Sequence, residues 1–123
     1  MRYIHARLYA TADGESHFED IYVDLLPTVF APPAPPLDLS ALQRGTGVRF
    51  MGAAPGWVGT PHPSPRRQLF IVLAGEMEGV ASDGQVRSIR AGQVLLMEET
   101  SGKGHSSRVV GDDYMLSAIV PLE

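Results

Sequence analysis

Two histidines, a glutamine and two arginines concentrate the reactive side chains of this 123-residue chain. His62 lies in a proline-broken turn, Pro61-His62-Pro63-Ser64-Pro65, followed at once by Arg66, Arg67 and Gln68. His105 sits in a glycine-rich stretch, SGKGHSS, shortly after Glu98 and Glu99. Imidazole titrates near neutral pH, so either histidine suits a general acid or base. A guanidinium can clamp a carboxylate or stabilise an enolate oxygen. Arg66 and Arg67 are adjacent and cannot both face inward, so one is expected in a surface ion pair. Glu98 or Glu99 could orient His105 or serve as a second acid. Gln68 opens an apolar run and must satisfy its amide if buried, on His62, a ligand or backbone. Such groups support proton transfer: isomerisation, epimerisation, dehydration or cyclisation. Oxygen activation would need a redox metal or a cofactor besides.

The elements that must hold these groups read as short strands. Residues 3–10 alternate, with Ile4, Ala6 and Leu8 opposite Tyr3, His5, Arg7 and Tyr9. Further strands are expected at 17–25, 48–54, 68–73, 76–80, 85–89, 94–97, 107–110 and 114–120, about nine in all. Asp83-Gly84 supplies hairpin chemistry, and Gly111-Asp112-Asp113 reads as a turn and not a metal site. His17 and His5 are expected on exposed turn and strand surfaces. The segment APPAPP at 31–36 reads as an extended, polyproline-like strap over the domain. No amphipathic helix and no internal repeat is evident. Short, regularly punctuated strands suggest a barrel or sandwich, and closure would remove exposed edges.

Composition bounds the function classes. The length suits one domain, residues 1–123, with N-terminal strands and the proline-rich strap in 1–47 and the motif-bearing barrel in 48–123. Thirteen glycines and ten prolines favour turns over long helices. There is no cysteine, hence no disulfide frame or thiolate chemistry. No apolar run is long enough for a membrane-spanning helix and no signal peptide is visible, so a cytoplasmic protein with no membrane partner is expected. A net charge of −4 gives no reason to expect nucleic acid. Nearly all positive charge is arginine, nine residues against the single Lys103. These can pair with structural carboxylates or with those of a substrate.

Gly56, His62, Gln68 and Gly75 fall at the spacing of the first sequence motif of the cupins, which the chain therefore resembles. Ser64 stands at the place of that motif's second histidine, and Gln68 at the place of its glutamate. The second motif is matched more loosely by Gly92, the Val94–Met97 run and His105, which arrives two residues late. Glu98 and Thr100 replace its proline and glycine. The resemblance covers about residues 56–110. It implies an all-β, cupin-type barrel (a double-stranded β-helix or jelly roll) with a ligand cavity at its mouth. It also implies that His62, Gln68 and His105 face one point, where relatives hold iron, manganese, nickel or zinc. If the segment stays extended, strand alternation puts Ser64, Arg66, Gln68 and Phe70 on the side of His62. Trp57, Ser64, Phe70 and Met97 are expected to line the cavity.

Two imidazoles and a neutral amide bring no anionic charge to a divalent ion, so no cofactor is expected at this site. The leading expectation is therefore a small-molecule enzyme of isomerase, cyclase or lyase type. In it His62 is the first proton-transfer group and His105 the second. Gln68 orients His62 or substrate, and Arg66 holds an anionic oxygen. The alternatives are a metal-dependent oxygenase using His62, Gln68 and His105, and a non-catalytic small-ligand binder. The expected partners are a small, anionic organic molecule and a second copy of the chain in a homodimer.

Overall fold

The computed structural model describes all residues, 1–123. There are twelve strands and no helix. They are β1 (Arg2–Ala10), β2 (Ser16–Asp24), β3 (Leu26–Thr28), β4 (Leu37–Leu39), β5 (Arg49–Ala53) and β6 (Val58–His62). The rest are β7 (Gln68–Ala74), β8 (Glu76–Ala81), β9 (Val86–Arg90), β10 (Val94–Met97), β11 (His105–Val109) and β12 (Met115–Pro121). The nine anticipated strands form with ends shifted by a residue or two. With no helix at all, no helix can cross a membrane.

Six strands build one sheet, in the order β2-β1-β10-β7-β12-β5. Four build a second, β6-β11-β8-β9. All pairs are antiparallel except β1 with β10, which joins the start of the chain to its distant second half. The inner faces meet in one core. Leu8, Phe18, Phe70, Val72, Met115 and Ile119 come from the large sheet, and Met77, Ile89 and Val109 from the small one. Period two explains the pattern on β1, where Ala6 and Leu8 are buried while Arg7 between them reaches outward.

The two sheets pack face to face, and β5 keeps an unpaired outer edge. Two expectations change. The proline-rich segment is not a strap laid over the domain. Leu26 pairs with Leu39 and Thr28 with Leu37, which folds 31–36 into the tip of a separate hairpin. Ala34 N–H donates to Ala31 O at 2.9 Å in that tip, and residues 26–38 are exposed throughout. His62 lies at the end of strand β6 and not in a turn, because a proline is tolerated on an edge strand.

Glu98, just past β10, ties sheet elements on its outer side. Arg7 Nε donates to one of its oxygens at 2.5 Å and Arg67 Nε to the other at 2.6 Å. Burial pushes its carboxyl upward, but the hydrogen bonds from Arg67 and then Arg7 outweigh this and hold it below the ordinary carboxylate range. A carboxyl lowered in the folded state contributes stability that is present above its unfolded value, about pH 4.3, and lost as pH falls through the folded value. Glu98→Gln is therefore expected to be less stable than the parent at pH 7. The gap in urea-denaturation free energy should narrow as pH falls below about 4. A gap that does not change with pH would contradict this role.

Candidate functional site

A cavity of about 510 Å³ opens between the two sheets. Half of its twenty lining residues are hydrophobic, among them Leu8, Phe70, Met77, Leu95 and Ile119. Seven carry polar or charged side chains. His62, Ser64, Arg66, Gln68 and His105 all line it, as do Trp57 and Met97. The segment from 62 to 70 alternates toward the cavity although the chain bends at 65–67.

Strand pairing brings the histidines together across 43 positions of sequence. His105 is the direct cross-strand partner of His62 in the β6–β11 ladder. Their ring centroids are 5.1 Å apart and tilted by 46°. A register shift between His105 and Ser107 bends β11 just past the site, and such bulges re-aim side chains.

Each ring is fixed through Nδ1. His62 Nδ1 lies 2.7 Å from Thr60 O, and a carbonyl only accepts, so Nδ1 carries the proton. His105 Nδ1 lies 3.2 Å from Glu99 Oε2. Glu99 is fully buried, and Ser64 donates to it as well. The Ser64 hydroxyl donates to Oε1, and the Ser64 N–H to the carboxylate at 3.2 and 3.3 Å and to the Glu99 carbonyl at 3.0 Å. With the carboxylate as acceptor, His105 Nδ1 is a donor. Both rings are thus left with Nε2 as the open nitrogen.

The glycine-rich loop is exposed at residues 101–103 and turns inward at its end. Gly104 and His105 are buried. Ser16 Oγ donates to Gly104 O at 2.6 Å and Lys103 N to Gly14 O at 2.9 Å, which pins the loop to the β1–β2 turn. Gly104 has φ +70°, and a Cβ there would stand 2.1 Å from the His62 carbonyl. Only glycine permits this approach, which sets β11 against the end of β6.

Sequence reasoning placed some groups differently. Gln68 makes no hydrogen bond to His62. Its amide donates to Met97 Sδ at 3.9 Å, a weak contact that leaves its carbonyl for a ligand. Of the adjacent arginines, Arg66 lines the cavity while Arg67 is held by Glu98. His17 bonds Asp83 at 2.8 Å and Thr11 at 3.0 Å, away from the cavity. Glu99 was only one of two carboxylates offered to His105, and Arg49, on the cavity wall, went unnoticed. The signal for Glu99 was a carboxylate following four apolar residues by two places.

No protein-family profile matches the chain, and no curated protein does. Solved structures do. A double-stranded β-helix protein from Klebsiella pneumoniae aligns at 23% identity over 67% of this chain and 71% of its own, with a TM-score of 0.52. The Cnp3 cupin domain of Schizosaccharomyces pombe aligns at 13% identity over 99% and 84%, at 0.50. A conserved protein from Streptococcus pyogenes aligns at 18% over 68% and 70%, also at 0.50. The chain has the cupin fold. Cupins commonly hold a divalent metal, and the donors here fit one poorly. No group of three His, Cys, Asp or Glu converges. The available set is two neutral Nε2 atoms and one amide, while the nearest carboxylate is already bonded by three donors.

Gly104→Ala tests the close approach that carries the cupin site. It is expected to cost at least about 2 kcal/mol more than Gly84→Ala in urea denaturation. Gly84 has a similar positive φ but open space around it, so it isolates the backbone cost. Equal losses would contradict the packing described.

Proposed function

We propose that this cupin is a small-molecule enzyme that moves protons, of isomerase, cyclase or lyase type, with His105 as the primary base. The observation that carries this reading is the buried Glu99 behind His105 with His62 beside it. Glu99 holds the ring in one tautomer, so Nε2 is always the atom that accepts. A carboxylate behind an imidazole also compensates the charge the ring gains when it takes a proton. This reverses the expected order of the two histidines.

The positions of the rings narrow the reaction. The two are neighbours on one wall and do not face each other across the cavity. Proton removal and return on the same face of a substrate fits 1,3-isomerisation, cyclisation or elimination better than two-base inversion. His105 Nε2 takes a proton from a carbon next to a carbonyl, and the electron pair moves onto the carbonyl oxygen. His105, now an imidazolium, then returns the proton from Nε2 at a second position. The apolar walls keep water from competing for it.

The test is hydrogen exchange in D2O against a panel of β-keto and enone carboxylic acids, followed by proton NMR. The parent is expected to wash deuterium into carbon-bound positions. His105→Ala should lose at least about 100-fold and Glu99→Gln about 10²–10⁴-fold. His62→Ala should lose less than His105→Ala. Exchange unaffected by His105→Ala in a folded variant would overturn the assignment.

We also propose that two copies pair through the hairpin and the β5 edge. Leu26, Val29, Phe30, Leu37, Leu42 and Phe50 are each more than half exposed. One side of a stable interface covers about 800 Å², and these six side chains supply an apolar part of such a face. β5, which carries Phe50, also keeps an unpaired strand edge, so a second copy can add backbone pairing there besides apolar cover. Light scattering is expected to give twice the 13.3 kDa chain mass for the parent and a single chain mass for Phe30→Asp. A monomeric parent at micromolar concentration would contradict this.

A further inference from the structure

The charges on the cavity wall are not a sample of the charges on the protein. The chain is acidic overall, with fourteen carboxylate side chains against ten basic ones. Yet no aspartate or glutamate lines the cavity, and its two charged residues are Arg49 and Arg66. Six of the nine arginines, Arg2, Arg7, Arg67, Arg87, Arg90 and Arg108, are engaged in ion pairs. Arg49 and Arg66 make neither a salt bridge nor a side-chain hydrogen bond.

The sheet register puts these two at one end of the cavity. Arg49 opens β5 and pairs with Ile119 of β12, which in turn pairs with Phe70 of β7. In-register partners share a face, so Arg49, Ile119 and Phe70 all point inward. Arg66 lies two residues before Gln68, which opens β7 and pairs with Pro121. β5 and β7 flank β12 and run the same way, so both arginines stand at the starts of their strands. Two strand spacings, about 10 Å, and a four-residue offset along the sheet, about 13 Å if extended, put those backbones roughly 16 Å apart, a span that two arginine side chains reaching toward each other can close on one anion.

We propose that Arg49 and Arg66 form an anion subsite at the cavity mouth, and that the natural ligand is an organic carboxylate whose apolar body fills the cavity. The proposal rests on this cavity being the substrate site and adds the class of substrate. A carboxylate fits better than a phosphate. Phosphate sites draw on helix N-termini or free backbone N–H groups. This fold has no helix, and in the glycine-rich loop the Lys103 N–H is bonded to Gly14 and Gly104 is packed under His62. The body of such a ligand would lie against Phe70 and Met77, with its reactive carbons toward His62 and His105.

Calorimetric titration with 2-naphthoate, 2-naphthamide and 2-naphthyl phosphate tests the subsite without any turnover. The carboxylate is expected to bind at least about tenfold more tightly than the amide, with the advantage shrinking in high salt. Arg49→Gln and Arg66→Gln should each cost about tenfold for the carboxylate and leave the amide unchanged. Equal affinity for carboxylate and amide, or equal losses for both in the variants, would overturn the subsite. Phosphate binding more tightly than carboxylate would overturn the ligand class. In the exchange assay the arginine variants should raise KM and keep kcat within a few fold. Intact binding with no exchange would count against the catalytic reading alone.

Discussion

Everything reactive in this molecule hangs on one buried carboxylate. Glu99 has no exposed surface and is met by three donors, the hydroxyl and N–H of Ser64 and Nδ1 of His105. A buried carboxylate must be hydrogen-bonded to be tolerated, and here its partners are parts of the site itself. Ser64 belongs to the segment that joins β6 to β7, and His105 opens β11. The carboxylate thus fastens two chain segments at the cavity wall and sets which nitrogen of His105 remains open. Removing it would leave a donor cluster without an acceptor, and the geometry of the site would relax with it.

The backbone around that clasp is equally constrained. Gly104 lets β11 come against the end of β6, and the hydrogen bonds from Ser16 and Lys103 stop the loop from swinging away. The two histidines meet because their strands pair, and the pairing is possible because one residue between them and the loop has no side chain. On the outer surface Glu98 faces the opposite way, between Arg7 and Arg67. Adjacent glutamates therefore do unlike work, one bracing the exterior and the other orienting the interior.

Much of the fold was legible in the sequence because strand periodicity and turn chemistry are local. The 3–10 alternation, the apolar 68–73 run and the Asp-Gly hairpin all sit where their residues suggest. The spacing of Gly56, His62 and Gly75 carried the cupin fold, although Ser64 and Gln68 had departed from the usual ligands. The failures have a common cause. Proline at 61 and 63 made His62 read as a turn, but an edge strand needs fewer N–H donors than a central one. Glycines at 102 and 104 left His105 outside the expected 107–110 strand, yet positive φ and close approach also demand glycine. Leu26 and Leu39 gave no hint of pairing, so the proline-rich tip looked like a strap. Arg49 was invisible because its cavity position depends on register across three strands.

The chain is acidic overall, yet no aspartate or glutamate lines the cavity, and Glu99 lies behind His105 with its oxygens taken by Ser64 and the ring. What remains inside is apolar surface, two open imidazole nitrogens and two free guanidiniums. The account stands most directly on the state of His105. Nitrogen-15 NMR of the imidazole side chains reads the tautomer without any knowledge of substrate. The account predicts that neutral His105 carries its proton on Nδ1 with Nε2 bare, and that Glu99→Gln alters those signals. A proton on Nε2, or signals unmoved by Glu99→Gln, would contradict it.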